Sequence, residues 1–299
     1  MIEQQLFQQF KKHIGIILEL GKVKITSFVA VSTSVGYILN SGKFEWTLFF
    51  IVIGVFLLAC GSSALNHYQE RKLDAQMERT KGRPLPSGRV TSFYALVVSF
   101  LLVIIGLALI YFSSNITALL LGLLALIWYN IIYTPLKKRF ALAVVPGSVI
   151  GALPPMIGWT ASGGDVFDMK ILSLALFFFI WQIPHFWLLL LLHSKDYEKA
   201  GFPTLTRIFN QLQLGRITFI WIAALVTSCL LIPFFNVSSS FLVLIILFLL
   251  GVWLMWKTKG ILSDYLERII FRKAFLSINL YVLAVVLIIS IDKLFLKEF

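Results

Sequence analysis

Apolar residues in this chain gather in long runs that neither alternate with polar ones nor break at a short period. Nine such runs stand out, at 23–39, 46–65, 91–112, 115–133, 141–161, 170–193, 215–235, 239–256 and 271–291. Each is close to the roughly 20 residues that an α-helix needs to cross a hydrocarbon core. A membrane β-barrel would alternate apolar and polar positions, and these runs do not. The pattern therefore predicts an all-α, polytopic membrane protein with nine transmembrane helices, its residues 1–299 forming one domain. Ahead of the first run, Leu6, Phe10, Ile14, Ile17 and Leu18 recur at helical spacing, which predicts an interfacial amphipathic helix over 4–20 within a cytoplasmic segment 1–22. A frayed charged tail is the alternative there.

Composition agrees with lipid as the solvent. Of 299 residues 59% are hydrophobic and 13% charged, and the mean hydropathy is +0.90. That is more apolar than a soluble domain of this length can hide in one core. No removable signal peptide is expected, because the N-terminal stretch lacks a short apolar region with a small-residue cleavage site. Cys60 and Cys229 both fall inside expected crossings and form no CxxC pair, so neither is assigned a function.

The net charge of +12 invites a nucleic-acid reading, yet 22 of the 26 Lys and Arg fall in alternate connections on one side: 1–22 with Lys24, 66–90, 134–140, 194–216 and 257–273. Only Lys43, Lys170, Lys293 and Lys297 fall on the other. The positive-inside rule accounts for this bias, places the N-terminus in the cytoplasm and leaves no nucleic-acid partner to explain. The cytoplasmic connections are also the long, motif-bearing ones.

The richest of them is ALNHYQERKLDAQMERTKGRPLPSGR, 64–89. Asn66, Glu70 and Asp74 are four residues apart, so on a helix they stack on one face over two turns. Two acids and an amide make an oxygen-rich site suited to Mg²⁺, which takes one or two carboxylates and completes its octahedron with water and substrate phosphates. Arg71, Arg79, Lys81 and Arg83 surround that face, and guanidinium groups grip phosphate oxygens. Metal plus arginines reads as a diphosphate site; the alternative is that the acids pair with basic neighbours in a charged loop. Two more polar clusters reach the same membrane face: Lys137, Lys138 and Arg139 in YNIIYTPLKKR, and Lys195 with Asp196 in HSKDYEKAGFPTL.

These residues carry a resemblance. NxxxExxxDAxMxRTxxRPLPSGR, YTPLKKR, GALPPMIGW (151–159), WQIPHFW (181–187) and DYxxAGFPTL (196–205) together resemble the protohaem IX farnesyltransferase (haem O synthase) family, within the superfamily of intramembrane prenyltransferases. The likeness runs over nearly the whole chain. It implies a helical bundle around a central chamber and transfer of a farnesyl group from farnesyl diphosphate to a vinyl group of haem b, giving haem O for respiratory oxidases. It further implies Mg²⁺ as cofactor, membrane lipid as surroundings, the bacterial inner membrane as location with the active site on the cytoplasmic side, and haem A synthase or the terminal-oxidase assembly as partners. A sister enzyme prenylating a quinone precursor such as 4-hydroxybenzoate is the runner-up. A secondary transporter is the remote alternative, since it would need ionisable residues near the midplane of several crossings.

On this reading Asn66, Glu70 and Asp74 hold Mg²⁺, and Arg79, Arg83, Lys137, Lys138 and Arg139 hold diphosphate. Asp196 makes a second metal contact or orients a basic residue. Arg71 and Lys72 divide between substrate and lipid headgroups. His185, deep in the sixth crossing, could ligate haem iron or accept a proton, or could simply be a neutral histidine bonded to a neighbouring helix. Trp159, Trp181 and Trp187 fit interfacial packing better than porphyrin stacking. Pro154 and Pro155 are expected to break the fifth crossing. There are departures from the superfamily pattern. His67 and Glu70 stand where many members have Asp, and the second acidic motif is reduced to Asp196 between His193 and Tyr197, which puts a second metal in doubt.

Overall fold

The structure, a computed structural model, describes residues 2–237, 240–263 and 268–295. Lys297 of the outer-face tally, Ser239 at the head of the eighth run and the side chain of Leu6 lie outside the described residues. The long helices are α1 (Ile2–Leu20), α2 (Val23–Ser41), α3 (Trp46–Asp74), α4 (Ser92–Ser113), α5 (Ile116–Ile127), α6 (Val149–Ala161), α7 (Met169–Lys199), α8 (Gln211–Phe234), α9 (Phe241–Thr258) and α10 (Arg268–Phe295). Among the described residues, eight helical spans are long and apolar enough to cross a membrane. The first expected crossing, α2, is helical but lies outside that set, because Ser and Thr punctuate it. Its hydroxyls are satisfied within the helix: Ser27 Oγ and Thr33 Oγ1 donate to the carbonyls four residues back, and Ser32 and Ser34 to those three back. Such back-bonding lets a hydroxyl-rich helix lie among apolar neighbours.

Residues Ile2–Leu20 are helical. Phe7, Phe10, Ile14 and Leu18 face outward, while Ile16 and Leu20 bury against Ala64 and Ala95.

Small residues decide which helices touch. A Cβ built on Gly36 of α2 would collide with the carbonyl of Pro155, and one on Gly158 of α6 with the carbonyl of Thr33, so α2 and α6 meet backbone to backbone. On the other flank Gly61 lets α3 approach α4 closely enough for Ser99 Oγ to donate to the Gly61 carbonyl at 2.7 Å. With no hydrophobic effect between helices inside lipid, such close van der Waals approach is what drives them together. Asn40 Nδ2 and Asn115 Nδ2 donate to the carbonyls of Ser162 and Thr160, tying the α2–α3 and α4–α5 hairpins to the end of α6.

Three local departures from regular helix matter for the site. Pro154 and Pro155 do not break the fifth crossing; α6 runs through both, held from outside by the Gly36 contact, and the interruption falls earlier, at Ser148 between a one-turn helix Val144–Gly147 and α6. Here the neighbouring helix supports a proline-bearing segment that would be unstable in water. Beyond Ile127, α5 widens into a π-helical stretch, Trp128–Tyr133, before the short Thr134–Leu136 turn. In α7 the backbone at His193 leaves helical geometry (φ −128°, ψ 21°), bending the residues after it toward the loop that follows α3.

Candidate active site

Helix α3 carries a continuous stripe on one face: Val55, Ala59, Ser62, Asn66, Glu70 and Asp74, three or four residues apart. Over this stripe opens a cavity of about 320 Å³, within the range of small-molecule sites. From Val55 to Asp74 the helix rises about 28 Å at ~1.5 Å per residue, so the cavity is deep. Its inner walls are apolar, from Val55, Leu58, Leu126, Ile150, Pro154, Ile157 and Phe186. The end near Asp74 is polar, lined by Lys22, Asn66, Glu70, Asp74, Arg79, Arg83, Lys137 and Tyr197.

Each motif oxygen group is already engaged by a cation or a hydrogen-bond donor. Lys137 Nζ lies 2.8 Å from each oxygen of Glu70, which is 6% exposed. Arg83 Nη1 lies 2.9 and 2.8 Å from the two oxygens of Asp74, 1% exposed. Lys22 Nζ donates to Asn66 Oδ1 at 3.0 Å, and Asn66 Nδ2 donates to Thr134 Oγ1 at 3.1 Å. Buried carboxylates need such partners.

The electrostatics of the two lysines that lie just outside the spans differ. Burial, reinforced by the neighbouring charges of Arg83 and Lys137, lowers the Lys22 ammonium to about 7 despite opposing pull from Glu70 and Asp74. Burial works in the same direction on Lys137, but the adjacent Glu70 carboxylate outweighs it and holds the group above its ordinary value. The site thus has one firmly charged lysine and one poised near neutrality.

Backbone geometry explains how these groups arrive. Lys22 joins α1 to α2 in the left-handed conformation (φ 48°, ψ 49°), which costs a non-glycine residue about 1–2 kcal/mol. The π-helical stretch presents Asn130 to α3: Asn130 accepts from Ser62 Oγ at 2.6 Å and donates to the Ser62 carbonyl at 3.0 Å, and Gln69 Nε2 donates to its carbonyl at 2.9 Å. Tyr129 and Tyr133, with rings 6.0 Å apart, both line the cavity. The bend at His193 brings Asp196 Oδ2 to the Arg79 backbone N at 3.3 Å and Tyr197 Oη to Arg79 Nη2 at 3.2 Å, roofing the mouth.

The residues expected from sequence divide accordingly. Asn66, Glu70, Asp74, Arg79, Arg83 and Lys137 converge. Asp196 reaches the mouth by accepting from the Arg79 backbone N–H. Lys138 turns to the Gln69 carbonyl at 3.2 Å, Arg139 is exposed away from the lining, and Arg71 folds back onto the Tyr68 carbonyl and ring. Trp159 is buried, its indole N–H donating to the Asp165 carbonyl, and Trp187 is buried against Trp221, so both pack. His185 is absent from the lining and bonds Asn279 of α10 instead. Lys22, Tyr129 and Tyr133 are site residues that the sequence pattern did not single out. Lys22 shows only as one more basic residue before the first crossing, although the pairing of two tyrosines four apart was readable.

For a divalent cation the donor set fits: two buried carboxylates and an amide oxygen on one helix face, with cationic side chains opposite. Among the described residues no cluster of three or more His, Cys, Asp or Glu is present, so any cation here must complete its shell with substrate and water oxygens, as Mg²⁺ does.

Residues 29–279 match the UbiA prenyltransferase family. The chain is 40% identical over 222 residues to protoheme IX farnesyltransferase of Geobacter sulfurreducens, covering 74% of this chain and 82% of that one. It is 33% identical over 275 residues to the enzyme of the same name from Oleidesulfovibrio alaskensis, covering 92% and 95%. Among solved structures, one of digeranylgeranylglyceryl phosphate synthase superposes with a TM-score of 0.77 at 17% identity, over 95% of this chain and 99% of that one. A UbiA homologue from Archaeoglobus fulgidus bound to GPP and Mg²⁺ superposes with a TM-score of 0.66 at 14% identity, over 92% and 99%.

Proposed function

The chain belongs to the UbiA prenyltransferase family, and from that premise we propose that it transfers the farnesyl group of farnesyl diphosphate to a vinyl group of haem b, yielding haem O and diphosphate. The observation that carries the chemistry is the meeting of a buried carboxylate face with Lys22, Arg83 and Lys137 at the mouth of a deep apolar chamber. The acceptor is assigned from the names of the relatives, which share a third or more of their residues with this chain over most of its length.

The allylic C1–O bond breaks when negative charge building on the leaving diphosphate is neutralised. Arg83, Lys137 and Lys22, with Arg79 at the rim, supply positive charge there, and Mg²⁺ held by Glu70, Asp74 and Asn66 would add Lewis-acid stabilisation. The terminal vinyl carbon of haem b then attacks C1. Positive charge moves to the vinyl carbon next to the porphyrin; water adds there and gives up a proton, leaving a hydroxyethylfarnesyl side chain. No covalent enzyme nucleophile is required. Leu58, Leu126, Ile150 and Ile157 keep water from the first cation, while the polar mouth admits it for the last step. The reading places α2 as a ninth crossing, the mouth on the cytoplasmic side of a bacterial inner membrane, and the two apolar substrates in the bilayer. Contact with haem A synthase or the terminal-oxidase assembly would let haem O pass on without leaving lipid.

The test is direct. Purified protein in lipid nanodiscs, given farnesyl diphosphate and haem b, should yield a porphyrin heavier by a farnesyl group and one hydroxyl, and the product should vanish with EDTA and return with Mg²⁺. Prenylated 4-hydroxybenzoate in place of the farnesylated haem would overturn the acceptor, and full turnover in EDTA would overturn the metal.

A further inference from the structure

The one ionisable side chain near the midpoint of α7 stands apart from the machinery above. Charge-bearing groups in the middle of a membrane span are costly and are kept for a purpose. His185 Nδ1 lies 2.8 Å from Asn279 Oδ1 on α10, and Asn279 Nδ2 in turn donates to the Phe275 carbonyl at 2.6 Å. That second bond fixes the amide's orientation, because a carbonyl oxygen can only accept. Asn279 Oδ1 must then face the imidazole as an acceptor, so His185 carries its proton on Nδ1. Nε2 is left with a bare lone pair and makes no hydrogen bond among the described residues. The residue is only partly buried.

The surroundings are those of a site rather than of a satisfied core histidine. The rings of Trp181, Phe186 and Phe275 lie 5.1, 5.5 and 4.9 Å from the imidazole. The Trp181 indole N–H is buried and lacks an acceptor, so it does not satisfy Nε2. Along α7 the cavity-lining residues are Gln182, Phe186, Leu189 and Leu190. At 100° per residue His185 lies about 40° round the helix from Leu189, on the side toward α10. It is therefore at the lateral edge of the chamber, between α7 and α10, facing neither the diphosphate nor bulk water.

We propose that His185 Nε2 binds the iron of the haem substrate from the α7–α10 edge, with Asn279 as the residue that holds its tautomer, so that one vinyl-bearing edge of the porphyrin enters the chamber past Phe186 and Leu189. The inference rests on the proposed function for the identity of the acceptor. An imidazole whose distal nitrogen is pinned by a hydrogen-bond acceptor is the arrangement that metal-ligating histidines adopt, and losing the pinning group typically costs about 10–100-fold in metal affinity. Iron ligation would give the enzyme something that apolar walls cannot: a fixed position and tilt for a flat, nearly symmetric substrate, leaving the chamber walls to select the vinyl-bearing edge that meets C1.

The experiment titrates the nanodisc-embedded protein with ferric haem b alone, followed by optical and electron paramagnetic resonance spectra. Wild type should show a histidine-ligated iron; His185→Ala and the similarly sized His185→Gln should lose that signature, and added imidazole should restore it to His185→Ala. Asn279→Leu should weaken haem binding about 10–100-fold, and Asn279→Asp, whose carboxylate makes the ring more basic, should lower the midpoint potential of the bound iron, which a purely structural role would not. Turnover adds a second readout: wild type should show a lower KM for haem b than for metal-free protoporphyrin IX, and His185→Gln should show equal values. An unchanged spectrum in both His185 variants, or equal KM values in wild type, would overturn iron ligation while leaving farnesyl transfer intact. Wild type that makes no farnesylated porphyrin of either kind would instead overturn the acceptor assignment.

Discussion

Asp74 is almost fully buried and shares both carboxylate oxygens with Arg83, so its replacement acts twice: it removes an oxygen from the proposed cation site and leaves a guanidinium without its counter-charge. Asp74→Asn keeps the shape and should lower kcat by about two to three orders of magnitude, the range seen when one charge-stabilising group is taken from a transition state. Membrane insertion should be unaffected. Retained turnover in an assay of purified Asp74→Asn would remove it from the site. Lys22 makes a different prediction. Its ammonium titrates near 7 in the free protein, and a bound diphosphate, rich in negative charge, favours the charged form. Above pH 7 binding must therefore take up a proton, so KM for farnesyl diphosphate should rise with pH, by at most about tenfold per unit. Lys22→Arg, which stays charged, should flatten this dependence relative to wild type, and comparing the two cancels the substrate's own titration. Superimposable profiles would show that Lys22 does not contact the leaving group.

Elements account for what a reading of the chain could and could not reach. Asn66, Glu70 and Asp74 were readable because a helix converts four-residue spacing into one face, and α3 is regular from Trp46 to Asp74. Lys137, Lys138 and Arg139 form one basic block in the sequence, but consecutive residues on a turn point about 100° apart, and only Lys137 lines the cavity. Lys22 was not readable as a ligand, since its partner Asn66 is 44 positions away and its left-handed backbone has no sequence signature. Nor did the π-helical stretch at Trp128–Tyr133 announce itself; its register is set by Asn130 bonding to α3, a tertiary contact. The two prolines of α6 misled for the same reason, because what sustains that helix is α2 pressed against it. This last contact can be tested. Gly158→Ala would place a methyl group against the carbonyl of Thr33, a backbone atom that cannot rotate away. The expected cost is about 1–3 kcal/mol of stability, read as a lower thermal unfolding midpoint in detergent; an unchanged midpoint would mean that α2 and α6 are not held at this distance.

At the scale of the whole molecule, charge and depth divide the labour of the reaction. The farnesyl chain and the porphyrin suit lipid, and the released diphosphate suits water, so the bond-breaking end must sit where the two solvents meet. Helix α3 shows how this is arranged. Its 29 residues extend about 43 Å at ~1.5 Å per residue, longer than a ~30 Å hydrocarbon core, and on the proposed reading the excess would carry Asn66, Glu70 and Asp74 into the interfacial region. If α3 crosses, Lys43 just before it and Lys81 just after it must face opposite compartments. Both are exposed, and the two native cysteines, Cys60 and Cys229, are buried, so single cysteines at these positions can be probed without background. In intact cells with the outer membrane permeabilised, a membrane-impermeant maleimide should label Lys43→Cys at once and Lys81→Cys only after the inner membrane is opened. Labelling in the reverse order would put the diphosphate mouth outside the cell, away from its water-soluble leaving group's source and from 22 of the 26 basic residues. Labelling of both together would mean that α3 does not span, and the carboxylate face would lose its place at the boundary between lipid and water.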